Sequence, residues 1–124
     1  YICQKQIKKG RSGTRELLRL FKKNYSIALM IDQRVSEGIE SKLFGKRALT
    51  TTIPAQLVKK FRCEVVPIYI ERNKDIYFKL MVKNPIIYDD NCTIEEITQD
   101  LNIKLEKLII KNPDQWIWSH NRWK

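Results

Sequence analysis

Ser26–Asp32 reads S-I-A-L-M-I-D. Ile27 to Ile31 is a continuous apolar run bounded by polar residues, the mark of a strand buried on both faces. Its carboxyl end delivers Asp32. On the amino side, Leu17, Leu18, Leu20 and Phe21 alternate with Arg15, Glu16, Arg19, Lys22 and Lys23, which predicts a short amphipathic helix with Thr14 as its N-cap and Asn24 at its end. On the carboxyl side, Asp32 to Thr52 is polar, carries Gly38 and Gly45, and reads as a long loop around the apolar pair Leu43 and Phe44. Loops longer than about 15 residues are uncommon unless they are functional or mobile.

Further out the pattern becomes regular again. Thr51 or Thr52 caps a second helix with Pro54 in its first turn and Leu57, Val58 and Phe61 on one side. Glu64 to Ile70 (E-V-V-P-I-Y-I) is a second apolar strand. Asn73-Lys74-Asp75 is a turn signal, followed by Ile76, Phe78, Leu80 and Val82 in alternation with Tyr77, Lys79, Met81 and Lys83, a half-exposed, hairpin-paired strand. Ile86 to Tyr88 adds a short edge strand after Pro85. Thr93 and Glu96 form a T-x-x-E capping box before a helix running to about Lys111, with Ile97, Leu101, Leu105 and Leu108 along one stripe. Helix, strand, loop, helix, strand, hairpin strand, helix is the order of an α/β domain with a mixed, mostly parallel sheet flanked by helices. In such sheets ligands sit at the carboxyl ends of parallel strands, which places Asp32 and the loop behind it at a cleft.

The bulk properties bound the function. A chain of 124 residues, 43% hydrophobic and 31% charged, supports one modest core, so residues 1–124 are a single domain or a piece of one. It opens on Tyr1 without a signal-peptide pattern and reads as a fragment. No apolar run approaches the roughly 18 residues of a membrane span. Cys3, Cys63 and Cys92 are far apart and lack CxxC or Cys/His spacing, which indicates neither a disulfide framework nor a zinc site. The formal charge of +10 attracts anions, and nucleic acid, anionic lipid and an acidic carrier protein all qualify as partners.

Few residues can carry chemistry. Asp32 either presents a carboxylate to a cleft or caps a turn. Gly38 and Gly45 serve the loop's backbone. His120 is the single histidine, placed for proton transfer or for stacking among Trp116, Trp118 and Trp123. The terminal run Q-W-I-W-S-H-N-R-W-K mixes indoles with cations, a composition suited to a membrane interface, to nucleic-acid stacking, or to plugging the edge of a core. No phosphate loop, dinucleotide fingerprint or calcium loop is present.

Four strings taken in order, S-I-A-L-M-I-D-Q-R-V-S-E-G, L-F-G-K-R-A-L-T-T, E-V-V-P-I-Y-I-E-R and N-P-D-Q-W-I-W-S-H-N-R-W-K, resemble the late acyltransferases of lipid A biosynthesis, within the lysophospholipid acyltransferase-like superfamily. The resemblance covers essentially the whole chain and implies that this fragment is a C-terminal portion. It implies transfer of a fatty acyl group from acyl carrier protein to a hydroxyl on an acyl chain of a phosphorylated glucosamine lipid, at the cytoplasmic face of the inner membrane of a Gram-negative bacterium. It implies no metal, no dissociable cofactor and no nucleic-acid partner. Asp32 and Gly38 match the family's D-x5-G block, which lines the substrate cleft. Phe44, within L-F-G-K-R-A-L-T, matches the family's F-F-G-x-x-A-x-T run, with Leu43 in place of the first Phe. Pro67 matches the V-V-P motif on the acyl-binding side. Arg11 and Arg15 fall in the basic stretch where the family carries cations. The family's general-base H-x4-D/E motif is absent, since the acid position after His120 would lie past Lys124; the expectation is that it lies upstream and that these 124 residues are inactive alone. A phosphatidic-acid-forming relative would carry an F-P-E-G-T type motif where D-Q-R-V-S-E-G stands, and a nucleic-acid module would show a groove helix or stacking sheet.

Overall fold

The computed structural model describes residues 6, 7 and 10–123, without the side chain of Arg11. The chain divides into two compact units, one running to Met30 and the other spanning Ile31–Lys124.

In the first unit, helix α1 (Arg11–Phe21) begins earlier than expected. Gly10, at φ 110°, is its N-cap, and Thr14 lies inside it with its hydroxyl donating to Gly10 O over 3.3 Å. The end is where the sequence puts it. Asn24 takes the left-handed conformation at φ 62°, while Tyr25 N–H reaches back to Leu20 O (3.2 Å) and Asn24 N–H to Phe21 O (2.9 Å), the double closure of a Schellman motif.

Ser26–Ile31 is not a strand. Leu29 and Met30 are exposed, Met30 by 77%. An extended segment becomes a strand only when a neighbour takes its backbone N–H and C=O groups, and no described residue pairs with this one. The expected parallel sheet is likewise absent among the described residues: both sheets are two-stranded antiparallel hairpins.

The second unit starts with the largest departure from the sequence reading. The expected Asp32–Thr52 loop contains a hairpin of β1 (Ile39–Leu43) and β2 (Lys46–Thr50). Its turn is Phe44-Gly45, both at positive φ (52° and 70°), the two-residue geometry whose twist suits a hairpin. Ser41, Leu43, Ala48 and Thr50 are its buried positions, a period-2 pattern hidden in the sequence by two hydroxyls. Helix α2 (Ile53–Phe61) carries Pro54 in its first turn as expected, and Arg62 ends it in the left-handed region. Glu64–Ile70 is only partly a strand. Pro67 lacks the N–H that a ladder needs, so Val65 forms one isolated bridge to Ile86 and β3 starts at Ile68 (Ile68–Lys74). β3 pairs with β4 (Tyr77–Val82) around Asp75, which sits at φ 52°.

Helix α3 (Ile94–Lys111) has the capping box in full: Thr93 Oγ1 accepts from Glu96 N–H (3.1 Å) and Glu96 Oε2 accepts from Thr93 N–H (2.7 Å). Those bonds hold the Glu96 carboxyl below its ordinary range. Ala55 and Val58 of α2 meet Ile97 and Leu101 of α3 to form the core, with Ile31, Val65, Ile86, Tyr88 and the free thiols of Cys63 and Cys92 against it. Burial pushes the Cys63 thiol up. Cys3 lies outside the described residues. No helix among them is long and apolar enough to cross a membrane.

Candidate functional site

Thr50 is the centre around which the second unit's polar interior is arranged. It is 2% exposed, and its hydroxyl accepts from Asn102 Nδ2 (3.0 Å) and Arg122 Nη2 (2.9 Å) while donating to Ala48 O (3.1 Å). Asn102 and Arg122 are both fully buried. Asn102, on α3, also donates to Ser41 Oγ (3.1 Å) and Lys42 O (3.2 Å), and Gln99 one turn earlier accepts from Ser41 Oγ (2.9 Å) and Lys42 N–H (2.8 Å). These amides fasten β1 to α3 where an apolar contact would otherwise serve. Buried polar groups are tolerated when they are bonded in this way.

The Asp32–Gly38 segment lies on this frame. Val35 N–H donates to Leu49 O (3.3 Å), and the same carbonyl accepts from Arg122 Nη1, so one acceptor joins the segment, β2 and the terminal run. Gly38 N–H closes on Val35 O (2.9 Å). Gly38 is required for a reason other than backbone freedom: a Cβ there would stand 2.3 Å from Thr50 O. Arg34 N–H donates to His120 Nε2 (3.2 Å). Asp32 is half-buried, and its charge acts on Arg122, partly offsetting the burial that pushes that guanidinium's pKa down. The guanidinium is held by one backbone carbonyl, Leu49 O, and one hydroxyl, Thr50 Oγ1.

Phe44 stands at the other end of β1–β2. Its N–H donates to Glu106 Oε1 (2.5 Å), and its ring lies 6.5 Å from Trp116 and 6.1 Å from Trp118. Trp116 meets Trp118 edge-on at 4.7 Å, and Trp118 stacks on Trp123 at 6.4 Å. Trp123 Nε1 donates to Leu43 O (3.0 Å) and Trp118 Nε1 to Pro113 O (2.6 Å). The terminal run is therefore a clasp on the β1–β2 hairpin. The reading of its arginine as a bilayer contact is corrected for Arg122, which is buried because Leu49 O and Thr50 Oγ1 need its donors. Ile117 and Trp118 remain on the surface.

The structure thus joins Asp32 and Gly38 on one segment against the Leu49–Thr50 end of β2, while Phe44 lies at the opposite, turn end of the hairpin. Pro67 belongs to the other hairpin, where its carbonyl accepts from Lys83 N–H (2.9 Å). Arg15 is exposed on α1 in the first unit, and the Arg11 side chain lies outside the described residues. Asn102 and Arg122 were not singled out in the sequence; an Asn on the apolar stripe between Leu101 and Leu105 was the available signal for the first. Two clefts open on the second unit. One, of about 420 Å³, lies between β1 and α3 and is lined by Glu40, Glu95, Glu96 and Asp100; the other, of about 520 Å³, runs from Lys59 and Arg62 to Tyr88 and Asp90. Neither contains Asp32 or Phe44. Among the described residues no group of His, Cys, Asp and Glu side chains could hold a metal ion.

The chain belongs to the bacterial lipid A biosynthesis acyltransferase family, whose model matches residues 3–124. No curated protein matches it.

Proposed function

We propose that this chain forms part of an enzyme that transfers a fatty acyl group from acyl carrier protein to a hydroxyl on an acyl chain of a phosphorylated glucosamine lipid, the lipid A precursor. The observation that carries the proposal is the family match over residues 3–124; it is supported by the resemblance of Asp32 and Gly38 to the family's D-x5-G block, on a segment bonded to Leu49 O, the carbonyl that also accepts from buried Arg122. The reaction takes the hydroxyl proton to a general base, forms the new ester bond at the acyl carbon and breaks the thioester, with the carrier's thiol as leaving group. Asp32 and the Phe44 turn face that reaction as substrate contacts. The base is not among these residues, because His120 is the one histidine and spends its Nε2 lone pair on Arg34 N–H. It comes from an H-x4-D/E motif upstream in the reading frame, and residues 1–124 alone are inactive.

Charge supports the same partners. A net +10 suits an acidic carrier, a phosphorylated acceptor and the anionic cytoplasmic face of the inner membrane. On α1, Arg15 and Arg19 accompany Leu17, Leu18 and Phe21, and Lys22 and Lys23 follow its last residue, a basic amphipathic helix of the kind that rests on such a surface. Asp32→Ala in the protein expressed from its full reading frame tests the site. Acyl transfer falls while the melting temperature holds; full activity would reduce Asp32 to a turn cap.

A further inference from the structure

The segment after Asp32 has no regular secondary structure as far as Gly38. Its fixed points are therefore individual hydrogen bonds. Val35 N–H to Leu49 O holds its far half on β2, and Gly38 N–H to Val35 O closes the turn within it. Arg34 N–H, two residues past Asp32, is held instead by an imidazole 86 residues away in sequence, His120 Nε2 at 3.2 Å. For Nε2 to accept, the ring is neutral with its proton on Nδ1. His120 is itself placed by its N–H bond to Ile117 O (3.2 Å), and by neighbours that cannot drift: Arg122 is locked to Leu49 O and Thr50 Oγ1, and Trp123 Nε1 to Leu43 O. The aromatic clasp thus reaches the Asp32 segment at two places, at the Arg34 N–H and at Leu49 O, which accepts from both Arg122 and the Val35 N–H.

We infer that His120 is a positioning residue for acyl transfer: by accepting the Arg34 N–H it sets where the Asp32 carboxylate stands. The inference rests on Asp32 being a substrate contact, as proposed above. His120 touches no reacting group, and its side chain is exposed, so replacing it leaves the core untouched. A glutamine carbonyl reaches about as far from the backbone as Nε2 and restores the acceptor. An asparagine carbonyl falls short, at the place of Nδ1.

The test uses the protein from its full reading frame, with His120→Ala, His120→Gln and His120→Asn. Backbone deuterium exchange over residues 32–38 reads the bond directly, and transfer kinetics with an acyl carrier protein thioester and the lipid A precursor read its consequence. In His120→Ala, exchange at Arg34 rises about fivefold, the change that one ordinary hydrogen bond gives, and KM for the lipid acceptor rises with kcat nearly kept. His120→Gln returns both to wild-type values and His120→Asn does not. Unchanged exchange in His120→Ala overturns the inference, as does a His120→Gln protein that stays as impaired as His120→Ala. Wild-type protein that exchanges as described but transfers no acyl group would instead overturn the acyl-transfer reading, and the two failures are distinct.

Discussion

Gly38→Ala measures how tightly the Asp32 segment is seated. The added methyl would lie 2.3 Å from Thr50 O, 2.6 Å from Thr50 C and 2.9 Å from Thr50 N. Carbon–oxygen contact normally begins about 1 Å further out, so either the segment or β2 must move by about that much. β2 resists, because Thr50 also serves Asn102 and Arg122 from inside the core. Moving the segment stretches the Val35 bond to Leu49 O, already 3.3 Å. Overpacking of this kind costs about 1–3 kcal/mol, and a rigid backbone neighbour puts Gly38→Ala near the upper end, a fall in Tm of about 10 °C. Gly45→Ala is the control. Its methyl meets nothing within 4 Å, and its φ of +70° leaves a conformational penalty of about 1 kcal/mol. Thermal unfolding followed by circular dichroism ranks the three proteins. Gly38→Ala melting with wild type, or above Gly45→Ala, would refute the close approach of Gly38 to Thr50.

Further predictions follow the buried polar frame and the helix cap. Asn102→Leu lowers unfolding free energy in urea by about 2 kcal/mol rather than more, because Lys42 O keeps Gln99 Nε2 and Thr50 keeps Arg122 as donors. Thr93→Ala costs about 1 kcal/mol, and Thr93→Ser restores most of it by keeping the hydroxyl that caps α3. Asp100 titrates low: burial opposes this, but hydrogen bonds from Lys104 (2.8 Å) and Tyr88 (2.7 Å) prevail. Its stabilisation is therefore complete above the ordinary carboxylate range and lost as pH falls through the lower folded value. Tyr88→Phe moves that value back up, so the variant is less stable at neutral pH and loses less on acidification; parallel acid limbs for the two proteins would contradict the Tyr88–Asp100 bond.

The elements legible in the sequence were those whose signals are local. The capping box at Thr93, Pro54 at the start of α2 and the turn at Asp75 each rest on residues within a few positions of one another, and each stands in the structure where the pattern put it. The β1–β2 hairpin does not show in the sequence because its buried face is Ser41, Leu43, Ala48 and Thr50: half its inward side chains are polar, and their partners include Gln99, Asn102 and Arg122 from far along the chain. Its turn was concealed too, since Phe seldom adopts positive φ. Ser26–Ile31 has the apolar composition of a strand but, among the described residues, not the hydrogen-bonding neighbour that a strand also needs. At the site, Asp32 and Gly38 were legible as an acid followed by a loop glycine. That Gly38 is needed for proximity to Thr50, and that Arg122 is interior, could not be read without the tertiary contacts.

Mass spectrometry of the lipid acceptor reads acyl transfer itself. The protein from its full reading frame, given an acyl carrier protein thioester and a phosphorylated glucosamine lipid A precursor in membrane vesicles, should raise the acceptor's mass by one acyl group, and Asp32→Ala should do so more slowly at unchanged Tm. An acceptor whose mass does not change, with folded wild-type protein and intact thioester present, would contradict the proposed acyl transfer.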